Sequence, residues 1–169
     1  MEERRNSMNK YSKLYKEIIE NKKAEVNLNK KYILQDRNEI LKDLEMICSD
    51  TKDIIFFYET IKMIPSKLLE KRINDFVYFA IYGNSTEIYC FTEIILSIDR
   101  KFLTTNIERI IIKTLDTINI DNGYLDYLYL NIVSLYQKLG EDAYLKNFLT
   151  NYCKQHENME IKEIYKDYI

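Results

Sequence analysis

Apolar and aromatic residues recur at helical spacing in four stretches of the chain, each of which follows a polar turn residue. The four turn residues are Asp50, Asn84, Asp121 and Glu157, which stand 34, 37 and 36 residues apart. Counted from each of them, the apolar positions fall at offsets of four, seven and eleven, which share one stripe of an α-helix. A helical pattern recurring at this period is typical of stacked helix-hairpin repeats. The apolar positions are Ile54, Phe57 and Ile61, then Ile88, Phe91 and Ile95, then Leu125, Leu128 and Ile132, and finally Ile161, Ile164 and Tyr168.

The breaks in this pattern predict short helices joined by tight turns. Gly83 and Gly140 each follow a predicted helix and are expected to cap it, Gly83 in the left-handed conformation. Asn84 and Glu87 have capping-box spacing, and Thr105–Asn106 is expected to start a helix in the same way. The segment 27–31 is expected to be a polar break, and 121–123 a turn. The predicted helices cover residues 7–26, 36–48, 54–64, 66–82, 107–118, 124–139, 141–156 and 159–168, with another helix opening at Asn84.

The predicted fold is therefore all-α. We expect a single domain over residues 1–169, in which about four antiparallel helix hairpins in 36–169 stack as a short HEAT- or armadillo-like α-solenoid. Residues 1–31 would form a basic N-terminal helix that frays at its start. An irregular helical bundle is the alternative. The tetratricopeptide pattern is not met, because Trp is absent and small residues are few.

Charge is spread unevenly along the chain. The net charge is −2, but residues 1–35 carry nine Lys/Arg against five Asp/Glu, and residues 115–169 carry five against nine. The uneven charge fits either two solvated faces or an acidic C-terminal half that meets a basic partner. Nucleic-acid binding is not favoured, because Glu17, Glu20 and Glu25 interrupt the basic N-terminal helix. We also expect no membrane insertion and a cytoplasmic location, since apolar runs are short and no signal peptide is evident.

Catalytic and metal-binding patterns are missing from the sequence. His156 is the one histidine, which excludes sites that need paired histidines, and it falls in a polar turn where a structural role is expected. The three glycines are isolated, unlike those of a phosphate-binding loop. Cys48, Cys90 and Cys153 are widely spaced without a CxxC pair and are expected to be reduced. We therefore expect no enzyme, no cofactor and no metal.

Tyrosine is abundant, with fifteen residues, and it is favoured at protein interfaces. Asp126 and Tyr127 follow the core position Leu125 and should point outward. Glu163 and Asp167 are acidic residues on a helix face that helix capping does not explain. These four residues, Asp126, Tyr127, Glu163 and Asp167, are the candidate partner-binding residues.

The stretches 73–98 and 107–139 each read as a helix, a polar Asn/Asp turn and a second helix. In this respect residues 36–169 resemble the HEAT-like immunity proteins of bacterial polymorphic or contact-dependent toxin systems. The resemblance implies a protein that neutralises one cognate toxin, here a basic toxin domain, by direct binding. It carries no diagnostic motif and transfers no residue roles. The alternatives are a helical-repeat adaptor or regulator, including a phage-encoded one, that recognises a peptide or protein, and an RNA-associated protein using its basic N-terminal helix. The oligomeric state is left open.

Overall fold

The computed structural model describes residues 12–119 and 124–169 of the chain. Every regular element in these two ranges is helical, so the all-α prediction is confirmed. The chain divides into two compact units, Met1–Ile40 and Leu41–Ile169, and each is described by itself. The predicted turn at 121–123 and the predicted start of the first helix lie outside the described residues. The single domain stays a prediction.

In the described part of the first unit, the long helix α1 spans Lys13–Tyr32. The Ser12 hydroxyl caps it by accepting a hydrogen bond from the Tyr15 N–H at 3.2 Å. The predicted polar break at 27–31 is wrong, because the helix runs straight through it. Lys30 and Lys31 lie in the last turn, where cations interact favourably with the helix dipole. None of the side chains of α1 is buried.

The remaining helices follow at short intervals. Helix α2 spans Arg37–Ser49. The second unit continues with a 3₁₀ turn, Thr51–Asp53, and then with α3 (Ile54–Ile61), α4 (Ser66–Leu69), a 3₁₀ turn (Glu70–Arg72), α5 (Ile73–Tyr82), α6 (Ser85–Leu96), α7 (Arg100–Thr117), α8 (Leu125–Leu139), α9 (Asp142–Phe148), a π-helical turn (Leu149–Cys153) and α10 (Met159–Tyr168).

Helix α7 begins earlier than the sequence predicts. Its N-cap is Asp99, whose carboxylate accepts a hydrogen bond from the Phe102 N–H at 2.9 Å. Thr105 and Asn106, the predicted start, lie inside the helix. Their side chains bond back to carbonyls one turn earlier, Thr105 to Lys101 and Asn106 to Phe102, both at 2.9 Å. Residues that cap helices can therefore also be accommodated within one when they bond to its own backbone.

The sequence predicts helix caps at Gly83, Asn84 and Gly140. The capping box is confirmed: the Asn84 side chain accepts from the Glu87 N–H, and the Glu87 carboxylate accepts from the Asn84 N–H at 2.7 Å. Gly140 is confirmed as a cap, and it adopts the left-handed conformation, with φ of 65°. The left-handed prediction for Gly83 is wrong, because its φ is −70° and its ψ is 176°. Glycine is needed there for space, since a Cβ would lie 2.5 Å from the Phe79 carbonyl oxygen.

The repeating frame is largely buried, and its turn residues cap helices in two of the three described cases. Asp50 and Asn84 are N-caps, whereas the last helix is capped by Asn158, one residue beyond the predicted Glu157. Two frame positions are exposed, Phe57 at 48% and Tyr168 at 42%. Tyr168 ends the last helix, and within the second unit α3 packs mainly against α6, which leaves Phe57 partly uncovered.

Seven of the described helices of the second unit fall into two rows. Helices α3, α6, α8 and α10 contact one another in that order and are called the B row. Helices α5, α7 and α9 are called the A row. Helix α5 packs against α7, and side-chain hydrogen bonds join α7 to α9. The core lies between the rows, where α5 contacts both α6 and α8.

Helices α3 and α6 of the B row run parallel. The hydroxyl of Thr51, in the turn that opens α3, donates to the Glu87 carboxylate in the first turn of α6. At the other end, the Lys62 ammonium lies 3.2 Å from the Glu93 carboxylate of α6. The turn that opens α3 therefore lies beside the first turn of α6, and the end of α3 lies beside the later part of α6.

Helices α7 and α9 of the A row also run parallel. The Arg100 guanidinium, at the start of α7, lies 2.8 Å from the carboxylate of Glu141, just before α9. One to two turns further on, the Asn147 amide donates to the Glu108 carboxylate at 2.5 Å. Helices α7 and α9 are thus parallel and in contact along successive turns.

Helices adjacent in sequence form antiparallel hairpins. The rings of Phe79 in α5 and Phe91 in α6 stack 4.9 Å apart across the Gly83–Asn84 turn. Across the Gly140 turn, Tyr129 and Tyr136 of α8 both pack against Phe148 of α9, at 5.5 and 5.9 Å. Aromatic rings thus fill the inside of both hairpins.

Candidate protein-binding surface

The B row has an outer face, defined as the side of each helix opposite its buried stripe. Because the buried stripe uses the same offsets in each helix, the outward positions also correspond from helix to helix. This outer face carries large apolar and aromatic side chains that are exposed. They are Ile55, Phe56 and Met63 from α3 and the turn after it, Tyr89 and Leu96 from α6, Tyr127 and Leu130 from α8, and Met159 from α10.

The most apolar part of the outer face is formed by α3. Phe56 is 77% exposed, and Ile55 and Met63 are also exposed. All three belong to one short segment, with Ile55 and Phe56 in α3 and Met63 in the turn that follows it. Burying a large apolar side chain is worth about 1.5–3 kcal/mol relative to leaving it in water. These exposed apolar side chains are therefore a candidate interaction surface.

Charged and tyrosine side chains hold the junction between α3 and α6. The Lys62 ammonium pairs with Glu59 at 3.5 Å and with Glu93 at 3.2 Å, and it lies 5.7 Å from the centre of the Tyr58 ring. Tyr58 meets the exposed Tyr89 edge to face, with ring centroids 5.7 Å apart. Hydrogen bonds to Tyr89 and Glu59 raise the pKa of Tyr58 above its usual value.

The side chains of this junction contact one another within the chain. Lys62 has two carboxylate partners and an aromatic ring beside it, and Tyr89 contacts Tyr58. A side chain already held in place loses less conformational entropy on binding than a mobile one. The junction is therefore suited to bind a rigid protein surface.

The four residues singled out from sequence lie on two neighbouring helices of the B row. Asp126 and Tyr127 lie in the first turn of α8, where Asp126 is half-buried and Tyr127 exposed. Glu163 and Asp167 are exposed on α10, and Glu163 forms an ion pair with Lys166 at 2.6 Å. Helices α8 and α10 pack together, although in the described structure no hydrogen bond or ion pair joins the two acidic groups. Their role in binding stays a prediction.

The sequence interpretation missed the α3 cluster. Residues 54–57 read Ile-Ile-Phe-Phe, and the offset rule assigned Ile54 and Phe57 to the core without considering the two between them. A helix buries one stripe, so four consecutive large apolar residues cannot all face inward. The run itself was therefore the available signal for an exposed apolar surface.

The cysteines and the histidine have structural surroundings. Cys90 and Cys153 are buried, and burial raises the pKa of Cys153 to about 12. Burial also raises the pKa of Cys48 to about 11, with Asp75 adding to the effect. A thiol with such a pKa is protonated at neutral pH and is a poor nucleophile. The His156 Nδ1 accepts a hydrogen bond from the Asn158 N–H at 3.1 Å, and its ring packs edge to face on Tyr129.

Two further features bear on possible chemistry and location. Within residues 12–119 and 124–169, no three His, Cys, Asp or Glu side chains are grouped so that they could hold a metal ion. No helix in these ranges combines the length and apolar character needed to cross a membrane. Comparison of the chain with protein-family models, with curated proteins and with solved structures gave no match.

Proposed function

We propose that this chain is a non-enzymatic protein-binding module and that it serves as an immunity protein, which neutralises a basic bacterial toxin domain by direct binding. The observation that carries the proposal is the exposed apolar cluster of Ile55, Phe56 and Met63 at one end of the outer face. Phe and Met are enriched in the central, desolvated part of protein interfaces. The cluster supplies the anchor that such a complex needs.

Charge supports a basic partner. The second unit carries 15 Lys/Arg and 20 Asp/Glu, a net charge of −5. Acidic side chains accompany the apolar ones along the B row, among them Glu59 on α3, Asp126 on α8, and Glu163 and Asp167 on α10. A surface of this sign attracts a basic toxin domain and speeds its association, whereas the apolar cluster slows dissociation.

The arrangement of the B row supports a stacked-repeat architecture. Its neighbouring helices α3 and α6 run parallel, as equivalent helices of successive repeats do in a solenoid. In this proposal the outer face is a continuous surface crossing several repeats. A toxin domain would then contact both the apolar cluster on α3 and the acidic residues of α8 and α10.

The test uses the product of the gene adjacent to this one as the partner. The wild-type chain is expected to rescue cells that express that product and to bind it in purified form. The double variant F56S/M63S is expected to weaken binding at least tenfold. Leu34→Ser is the matched control, because Leu34 is 82% exposed but lies in the first unit. Equal losses in both variants would refute a role for the cluster.

The proposed attraction of a basic partner is tested separately, by the salt dependence of the association rate. Raising the salt concentration from 50 to 500 mM is expected to slow association about tenfold or more and to change dissociation little. An association rate that does not respond to salt contradicts the basic-partner proposal, even if binding itself persists. Failure of rescue despite tight binding contradicts the immunity role and leaves the binding module standing.

A further inference from the structure

An open groove lies on the A row, where α7 runs beside α9 and the π-helical turn. Its volume is about 470 Å³. One wall includes Glu108, Ile112 and Asp116, which are spaced one helical turn apart on α7. The facing wall is formed by Asn147, Asn151 and Tyr152. The whole groove lies within the second unit.

Two asparagine amides line the groove and are linked to each other. The Asn147 amide nitrogen donates to the Glu108 carboxylate at 2.5 Å, and the Asn151 amide nitrogen donates to the Asn147 amide oxygen at 2.6 Å. Both side chains are exposed. Each amide has two donor hydrogens and an oxygen with two lone pairs, so each retains capacity for a ligand.

The backbone beneath these residues departs from α-helical geometry. The Lys154 N–H donates to the Leu149 carbonyl, five residues earlier, at 3.0 Å. This π-helical turn, Leu149–Cys153, contains Asn151 and Tyr152, and so it sets where both side chains enter the groove. Isolated π-helical turns within α-helices occur frequently at functional sites.

A buried hydroxyl without a partner lies beneath the groove. Tyr136 has no exposed surface, and its hydroxyl makes no hydrogen bond. Burial raises its pKa above the usual value, and the next cause is the nearby carboxylate of Glu108, followed by Tyr152. Glu108 accepts from Asn147 through Oε1, so its second oxygen is available to the Tyr136 hydroxyl if a ligand that takes over the Asn147 amide lets the carboxylate turn.

The charges of the groove favour an uncharged ligand group. Glu108 and Asp116 are balanced by Arg109 and Lys113 on the same wall. A phosphate would meet two carboxylates, and a cation would meet two basic side chains. Amide groups are the remaining polar feature, and a peptide bond is their natural complement because it presents one donor and one acceptor.

We propose that this groove binds an extended polypeptide segment of a partner protein, with Asn147 and Asn151 hydrogen-bonded to its main chain and Glu108 turning to the Tyr136 hydroxyl. The two amides are hydrogen-bonded to each other at 2.6 Å, so together they can bind neighbouring main-chain groups of such a segment. Ile112, on the opposite wall, offers an apolar contact to its side chains. This site stands whether or not the outer face of the B row has the partner proposed above.

The test selects ligands from a phage-displayed random dodecapeptide library on the full chain. The double variant N147L/N151L serves for counter-selection after its helix content has been checked by circular dichroism. Enriched peptides, once synthesised, are expected to bind the wild-type chain and to lose at least tenfold in affinity for the double variant. Asn119→Leu makes the same change at an exposed asparagine that does not line the groove, and it is expected to leave their affinity unchanged.

Two further measurements do not depend on how the double variant folds. N-methylation of single peptide N–H groups is expected to weaken binding to the wild-type chain at the position that meets the two amides. Tyr136→Phe removes the unpartnered hydroxyl, so we expect it to raise the melting temperature of the free chain and to weaken peptide binding about threefold. Failure to enrich any peptide, loss of affinity in Asn119→Leu alone, or indifference to N-methylation at every position would each overturn the proposal.

Discussion

The side-chain amide of Asn131, in the middle of α8, donates a 3.0 Å hydrogen bond to the main-chain carbonyl of Ile81, fifty residues earlier in the last turn of α5. The last four carbonyls of a helix have no partner within it. Ile81 is buried, so water cannot readily replace Asn131. The bond therefore completes the end of α5 and ties it to α8.

We expect Asn131→Ala to lower the free energy of unfolding by about 1–3 kcal/mol, because it leaves a carbonyl unsatisfied in a protected place. Urea denaturation followed by circular dichroism measures the change. Asn119→Ala is the control, since Asn119 is exposed and, within the described structure, its side chain makes no hydrogen bond. Equal stability of the two variants would contradict the assignment.

The two cap glycines are expected to respond differently to asparagine. Gly140 needs a left-handed backbone, which Asn tolerates better than Ala, so Gly140→Asn should be less destabilising than Gly140→Ala, whose cost is about 1 kcal/mol. Gly83 needs space beside the Phe79 carbonyl, so Gly83→Asn and Gly83→Ala should be similarly harmful. Thermal melts of the four variants check this. If Gly83→Asn were also more stable than Gly83→Ala, the steric explanation for Gly83 would be wrong.

The capping box at the start of α6 gives a third prediction. Asn84→Ala is expected to cost about 1 kcal/mol, because the Thr86 and Glu87 N–H groups lose their acceptor. Asn84→Asp keeps an acceptor and should retain most of the stability. Chemical denaturation of both variants measures the difference, and an Asp variant no better than Ala would argue against a capping role.

Stability is expected to fall at alkaline pH, in part through Cys153. Its pKa is raised from 9.0 to about 12 in the folded chain by burial. The contribution is fully present below pH 9, where the thiol is protonated in both states, and is lost as the pH rises from 9 towards 12. The slope for one such group reaches about 1.4 kcal/mol per pH unit.

Urea denaturation at pH 8, 9 and 10 measures this loss. Cys153→Ala should reduce the slope without abolishing it, since burial also raises the pKa of Tyr129 to about 12. A slope that is unchanged in the variant would mean that Cys153 does not contribute.

The parts of the fold that local chemistry determines could be predicted from sequence. The stripe residues of α6 and α8 are largely buried as expected, the Asn84 capping box has the predicted geometry, and Gly140 caps α8 as predicted. Each of these features depends on residues within one or two helical turns. Local spacing is sufficient for them.

The candidate sites depend on contacts between distant segments and were harder to predict. Phe56 is exposed because α3 packs mainly against α6, which the spacing within α3 cannot reveal. The groove needs α7 beside α9, and its Asn147–Glu108 bond joins residues 39 apart. The start of α7 was misplaced for a similar reason, since Thr105 and Asn106 have both capping and in-helix bonding available to them.

The π-helical turn at Leu149–Cys153 contains one residue more than an α-helix needs for the same turn. Deletion of a single residue from an ordinary helix rotates everything beyond it by about 100° and is usually ruinous. Deletion within this turn would instead restore regular helix, with Cys153 still on the buried side, and would remove Asn151 and Tyr152 from their places in the groove. The positions of Asn151 and Tyr152 in the groove thus depend on one extra residue. A single insertion or deletion could therefore create or remove this part of the groove while the hairpin stays folded.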